Sequence, residues 1–191
     1  MSSFLKSFFS LSILLISATA SALPITYIYQ GFDASGDLNG VSFINTDFSI
    51  VAQADTDNFK DWCCSEGQIS HLSATIHIDG FDIVQLLTPS HIWYTGGSVV
   101  GFGKDLGANW MTFNHVDFIG YDLMSSIGPI FGNVVNVNQF HGVMTSAGIL
   151  NFTNSELNAS FEAVVSEVPE PAGLMLIITG LIGILIRSKR V

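Results

Sequence analysis

The sequence predicts an all-β fold: a single antiparallel β-sandwich or jelly-roll-like domain, flanked by an N-terminal signal helix and a short C-terminal transmembrane helix. Three observations carry this. Between the two ends, apolar and polar residues alternate in short runs, turn residues separate the runs, and helix-forming residues are scarce. With 48% hydrophobic and 12% charged residues, the 191-residue chain has material for one core and too little charge for a disordered polymer. Its mean hydropathy of +0.47 exceeds that of an ordinary soluble domain, and the excess sits at the termini.

At the amino terminus, Lys6 precedes the apolar run Phe8 to Ile16, and small residues lead to Ala20-Ser21-Ala22 before Leu23. That order is a secretory signal peptide over 1–22, with Ala20 and Ala22 as the cleavage-site residues, passed through Sec-type export machinery to signal peptidase. A buried helix would need a polar face, and the run offers only Ser10 and Ser12.

The body, 23–167, supplies the strands. In Leu157 to Val165 every odd position is apolar, which makes one buried face. Val41 to Ala54 places Phe48, Ile50 and Ala52 at period two, with a break near Thr46 that predicts a bulge. Ile76 and Ile78 share a face, and Asp79-Gly80 then separates them from Phe81 to Leu86 as a hairpin turn. Further strands are expected at Ile25 to Gln30, His91 to Tyr94, Val99 to Phe102, Trp110 to Phe113, Val116 to Tyr121 and Ile149 to Thr153. One helical turn is expected over Tyr121 to Ile127, closed by Gly128-Pro129. About ten short strands argue for a sandwich or jelly roll.

All but one of the 16 acidic residues fall in this body, where Lys60 and Lys104 are the only cations. Nucleic-acid binding, which needs cations to displace phosphate counterions, is excluded, and anionic membranes are disfavoured. Catalytic motifs fail residue by residue. Gly101-Phe102-Gly103-Lys104 lacks the leading Gly of a phosphate loop at Ser98, and Gly96-x-Ser98 lacks the second Gly of a nucleophile elbow at Val100. No catalytic residue, cofactor or metal is assigned, and the expectation is a non-enzyme. Asp33-x-Ser35-x-Asp37-x-Asn39 and Asp55-x-Asp57 with Asp61 and Glu66 have oxygen ligands but depart from a calcium loop at Leu38, Ile44, Phe59 and Lys60. The five histidines show no ligand spacing. Cys63 and Cys64 are adjacent, so a bond between them would be strained. In an oxidising compartment a vicinal disulfide pinning the turn, an intermolecular bridge and a redox-reactive pair are all open, with the structural turn preferred.

From Ala172 to Ile186 the chain carries no charge, and Arg187, Lys189 and Arg190 follow at once. This is a short membrane helix over 172–186 with a cytoplasmic basic tail over 187–191, which leaves the body outside. Before it stand Val168-Pro169-Glu170-Pro171, whose prolines hold an extended backbone. Motif, apolar run, basic cluster and chain end together resemble the PEP-CTERM sorting signal of exported bacterial proteins, a segment also called the ice-binding protein C-terminal domain, over 168–191. The runs Tyr27-Ile28-Tyr29-Gln30-Gly31 and Tyr121-Asp122-Leu123 with Ser125 to Pro129 are loosely similar to β-rich proteins carrying that signal.

The resemblance implies a Gram-negative-type bacterium that makes an exopolysaccharide. It also implies an exosortase that reads Pro169, Glu170 and Pro171 after a transient stay in the inner membrane, and a destination at the cell surface or extracellular matrix. The expected role is a surface or biofilm protein associated with exopolysaccharide. The alternative is a carbohydrate-binding module stacking sugars on Trp62, Trp93, Tyr94 or Trp110, favoured if those rings stand exposed in a groove.

Overall fold

The computed structural model describes residues 23–62, 66–104, 108–135, 142–154 and 156–166. They form eleven strands: β1 (Pro24–Leu38), β2 (Val41–Trp62), β3 (Glu66–Ile78), β4 (Val84–Gln85), β5 (Ser90–Thr95), β6 (Val99–Lys104), β7 (Ala108–Asn114), β8 (Ile127–Val135), β9 (Val143–Thr145), β10 (Gly148–Phe152) and β11 (Glu156–Val165). The expected all-β, antiparallel character holds. The expected division into two facing sheets does not: β11 pairs with β1 from Ile25–Val165 to Phe32–Asn158, and the sheet closes into a barrel in the order β1-β2-β3-β5-β6-β7-β8-β11. A sandwich and a barrel share one inward face per strand, so the alternation fits both. Irregularities in β1 after Gly31, in β3 at Leu72, in β2 after Ala54 and in β7 at Trp110 add the coiling that closure needs.

The barrel has two tiers. β6 ends at Lys104 and β7 begins at Ala108, so this hairpin stops part-way, whereas β1, β2 and β3 run on. Beyond it β4 joins β3, β10 joins β1, and β9 pairs β10. A Leu86–Thr145 bridge, with Leu87 N–H donating to Met144 O at 2.8 Å, then closes a narrower ring above the hairpin. Dropping two strands from eight leaves six segments. Trp110 is the extra residue of the β7 bulge at this step, and it turns fully inward.

Inward positions fill the interior. A ladder of rings runs through both tiers: Tyr29 to Phe102 at 5.3 Å, Phe102 to Trp110 at 5.4 Å, Trp110 to Phe152 at 5.9 Å and Phe152 to Phe48 at 4.7 Å. Around them pack Ile50, Ile69, Ile76, Ile92, Val100 and Phe161, all fully buried. The depression lined by Tyr29, Phe48, Met111 and Leu157 leaves no room for a water molecule, and the described inward side chains fill the barrel around it.

Three local expectations are corrected. Val116 to Tyr121 is not a strand: His115 Nδ1 accepts from Asp117 N–H at 3.2 Å and caps a 3-10 turn over Val116–Phe118. The helical turn over 121–127 is absent, because Asp122 Oδ1 accepts from Met124 N–H, Ser125 N–H and Ser125 Oγ within 3.0 Å and holds a side-chain turn instead. The hairpin turn at Asp79-Gly80 is present, but its second arm is reduced to β4. No helix of the described residues is long and apolar enough to cross a membrane. The expected signal helix over 1–22 and the expected membrane helix over 172–186 lie outside the described residues.

Candidate functional site

The polar residues with chemical potential meet on the inner wall of β3, β5 and β6. His71 Nδ1 and Ser90 Oγ are 3.0 Å apart, and Ser90 pairs in register with Lys104. Lys104 is 2% exposed, and its Nζ donates to Gly142 O at 3.4 Å. The imidazole lies 4.8 Å from the Phe102 ring and 5.8 Å from Tyr27. Burial, with a smaller contribution from the charge of His91, pulls His71 from 6.5 down to about 3, so the ring is neutral in any ordinary medium. Burial lowers His91 in the same direction.

A serine–imidazole pair suggests acyl transfer, but the geometry does not assemble it. The serine is bonded through Nδ1, whereas Nε2 has no solvent contact and no partner among the described residues, so no carboxylate orients the ring. The pair packs the wall. Sequence reasoning missed it because its members stand 19 residues apart and meet only through strand pairing.

The expected aromatic platform is dispersed. Trp110 is fully buried. Trp93 is half-buried and lies flat over Gly101, where a Cβ would overlap the indole, and its Nε1 is buried without a partner among the described residues. Tyr94 stacks on Phe59 at 6.5 Å, packed against the core. The Trp62 side chain lies outside the described part. Of these rings, Trp110 is buried and Trp93 and Tyr94 are half-buried.

The acidic runs do not converge either. Asp33, Ser35 and Asp37 lie along β1 and are engaged locally: Asp33 N–H donates to Asp47 Oδ1, and Ser35 Oγ accepts from Asn45 N–H. Asp37 Oδ1 instead accepts from Gly40 N–H, and Asp55 Oδ1 from Asp57 N–H. Among the described residues no three His, Cys, Asp or Glu side chains gather as for a metal.

The near rim, where β1 begins and β11 ends, brings the ends together. Leu23 N–H donates to Thr56 Oγ1 at 3.1 Å, and Ser166 N–H donates to Pro24 O at 2.8 Å, so the first and last described residues leave the barrel side by side. The loop 115–126 crosses the same rim. His115 N–H donates to Ser98 O, and Val165 N–H donates to Ser126 Oγ. Phe118, Tyr121 and Leu123 turn into the barrel, and Tyr27 Oη donates to Leu123 O at 2.6 Å. Desolvation raises the Tyr27, Tyr29 and Tyr121 hydroxyls far above 10, which keeps all three protonated. The predicted Ala20 and Ala22, Cys63 and Cys64, Pro169, Glu170 and Pro171, and Arg187, Lys189 and Arg190 lie outside the described residues.

No protein-family description, no characterised protein and no solved structure matches this chain.

Proposed function

We propose that this chain is an exported cell-surface or extracellular-matrix protein, delivered by a C-terminal sorting signal, with the barrel as its cargo. A cleaved signal helix over 1–22 and a short membrane helix over 172–186 flank the domain. An exosortase cuts at Pro169, Glu170 and Pro171, and the released barrel associates with exopolysaccharide. The carrying observation is the order Pro169-Glu170-Pro171, an uncharged run of 15 residues and a basic cluster, together with a run over 1–22 that we read as an export signal. Two features of the fold support the reading. The ends of the barrel exit at one rim, which is compatible with an anchor following Ser166, and the described side chains pack the interior around an aromatic ladder. We read the barrel as a non-enzymatic scaffold because the catalytic motifs in its sequence are incomplete.

Intact mass spectrometry of cell fractions tests it. Surface material beginning near Leu23 and ending near Pro169 to Pro171 supports the proposal. Surface material that retains Val191 refutes processing, and chain confined to the cytoplasm refutes export.

A further inference from the structure

We infer that the near rim is a membrane-facing surface, with the 115–126 loop resting in the headgroup layer of a zwitterionic bilayer and Val116 and Ile119 as its lipid contacts. The inference rests on the reading of 172–186 as a membrane helix and adds which face of the barrel meets the lipid.

Position is the first argument. Ser166 is bonded to Pro24 at this rim, and the uncharged run begins at Ala172. The six residue steps from Ser166 to Ala172 reach at most ~22 Å when fully extended. The rim is therefore held within that reach of the hydrocarbon edge, whereas the far rim lies a further strand length away.

Construction is the second. Phe118, Tyr121 and Leu123 are anchored inward, while their neighbours in the loop face outward: Val116 and Ile119 are each 65% exposed, and Met124 is 36% exposed. Tyr27 and Asp122 hold the loop in that shape before any lipid arrives, so little ordering accompanies contact. Exposure alone does not select this rim, because Ile83, beyond the far-rim turn at Asp79-Gly80, is 69% exposed. The tether does.

Charge chooses the lipid. The loop carries Asp117 and Asp122 and no Lys or Arg, so it is repelled by anionic headgroups and tolerated by phosphatidylcholine.

The test is photo-crosslinking of the full-length chain in phosphatidylcholine vesicles, with benzoylphenylalanine replacing Ile119, Val116 or Ile83 in turn and lipid adducts read by mass. All three positions are exposed, and near-ultraviolet circular dichroism checks each fold. The expected result is at least tenfold more adduct at position 119 or 116 than at 83. Vesicle-bound chain with equal adduct at 83, or with none at both 119 and 116, overturns the inference and leaves the sorting proposal standing. Chain that does not sediment with vesicles overturns both.

Discussion

Acidification acts on this barrel through His71. In the folded chain its proton affinity is displaced from 6.5 to about 3, chiefly because the ring is buried against Tyr27, Phe102 and the β5 wall, with a smaller contribution from His91. The unfolded chain keeps the ordinary value. Between those two values the unfolded state binds one more proton than the folded state, so stability is full above pH 6.5 and is lost as the pH falls toward 3. The steepest loss is roughly 1.4 kcal/mol per pH unit, and the whole displacement amounts to roughly 5 kcal/mol, a large share of the 5–15 kcal/mol that holds a typical domain. His91, also lowered by burial, adds loss of the same sign. Urea midpoints at pH 7.5, 6, 5 and 4 measure the effect. His71→Phe, which keeps the ring stack and removes the proton site, flattens the profile. Ser90→Ala, which removes only the 3.0 Å bond, keeps the wild-type slope. Parallel profiles for wild type and His71→Phe would falsify the reasoning.

The tyrosine hydroxyls give an opposed pair. Tyr27→Phe removes the 2.6 Å bond to Leu123 O and lowers stability by about 1 kcal/mol, whereas the Tyr29 hydroxyl is buried with no partner among the described residues, so Tyr29→Phe is neutral or stabilising. Chemical denaturation of both variants checks this, and equal losses would contradict the assignment. Gly101→Val drives the Trp93 indole off the strand, with a loss of about 1–3 kcal/mol and a red shift of tryptophan emission. Gly40→Ala meets no atom within 4 Å and loses about 1 kcal/mol from its φ of +82° alone, without a spectral change, as thermal melts with fluorescence detection will show.

Local pattern announced most of the strands, because alternation is written residue by residue in stretches such as Leu157 to Val165. What depended on distant pairing was hidden. The Ile25–Val165 pairing decides barrel over sandwich, yet neither strand's pattern records its partner. β8 was missed because Gly128 and Pro129 interrupt it and Ile130-Phe131 and Val134-Val135 come as adjacent apolar pairs, which blur period two. Val116, Phe118 and Gly120 imitate a strand, and Asp122 with Ser125 was the available sign of a side-chain turn instead. Trp110 was drawn inward by a bulge that no composition reveals. The inner His71–Ser90 pair was equally invisible, since each residue alone is an ordinary strand position.

The two-tier barrel explains why a chain with apolar ends can be built this way at all. β4 and β5 both run antiparallel to β3 and so form one descending course. β10 and β11 are likewise one course antiparallel to β1, and β9, antiparallel to β10, continues the ascent of β8. Every excursion into the upper tier therefore preserves direction, and the ring keeps an even number of courses. In an even antiparallel ring the first strand must start where the last one ends. Leu23 and Ser166 consequently share a rim as a result of parity, before any side-chain contact is considered. A deletion that removed the single strand β11 would break the parity and the closure together. Removal of the whole β9–β10 hairpin would leave both intact and open only the narrower ring. Exit of both described ends at one rim is thus a property of the lower eight strands, and the upper tier is free to vary at the opposite end of the barrel.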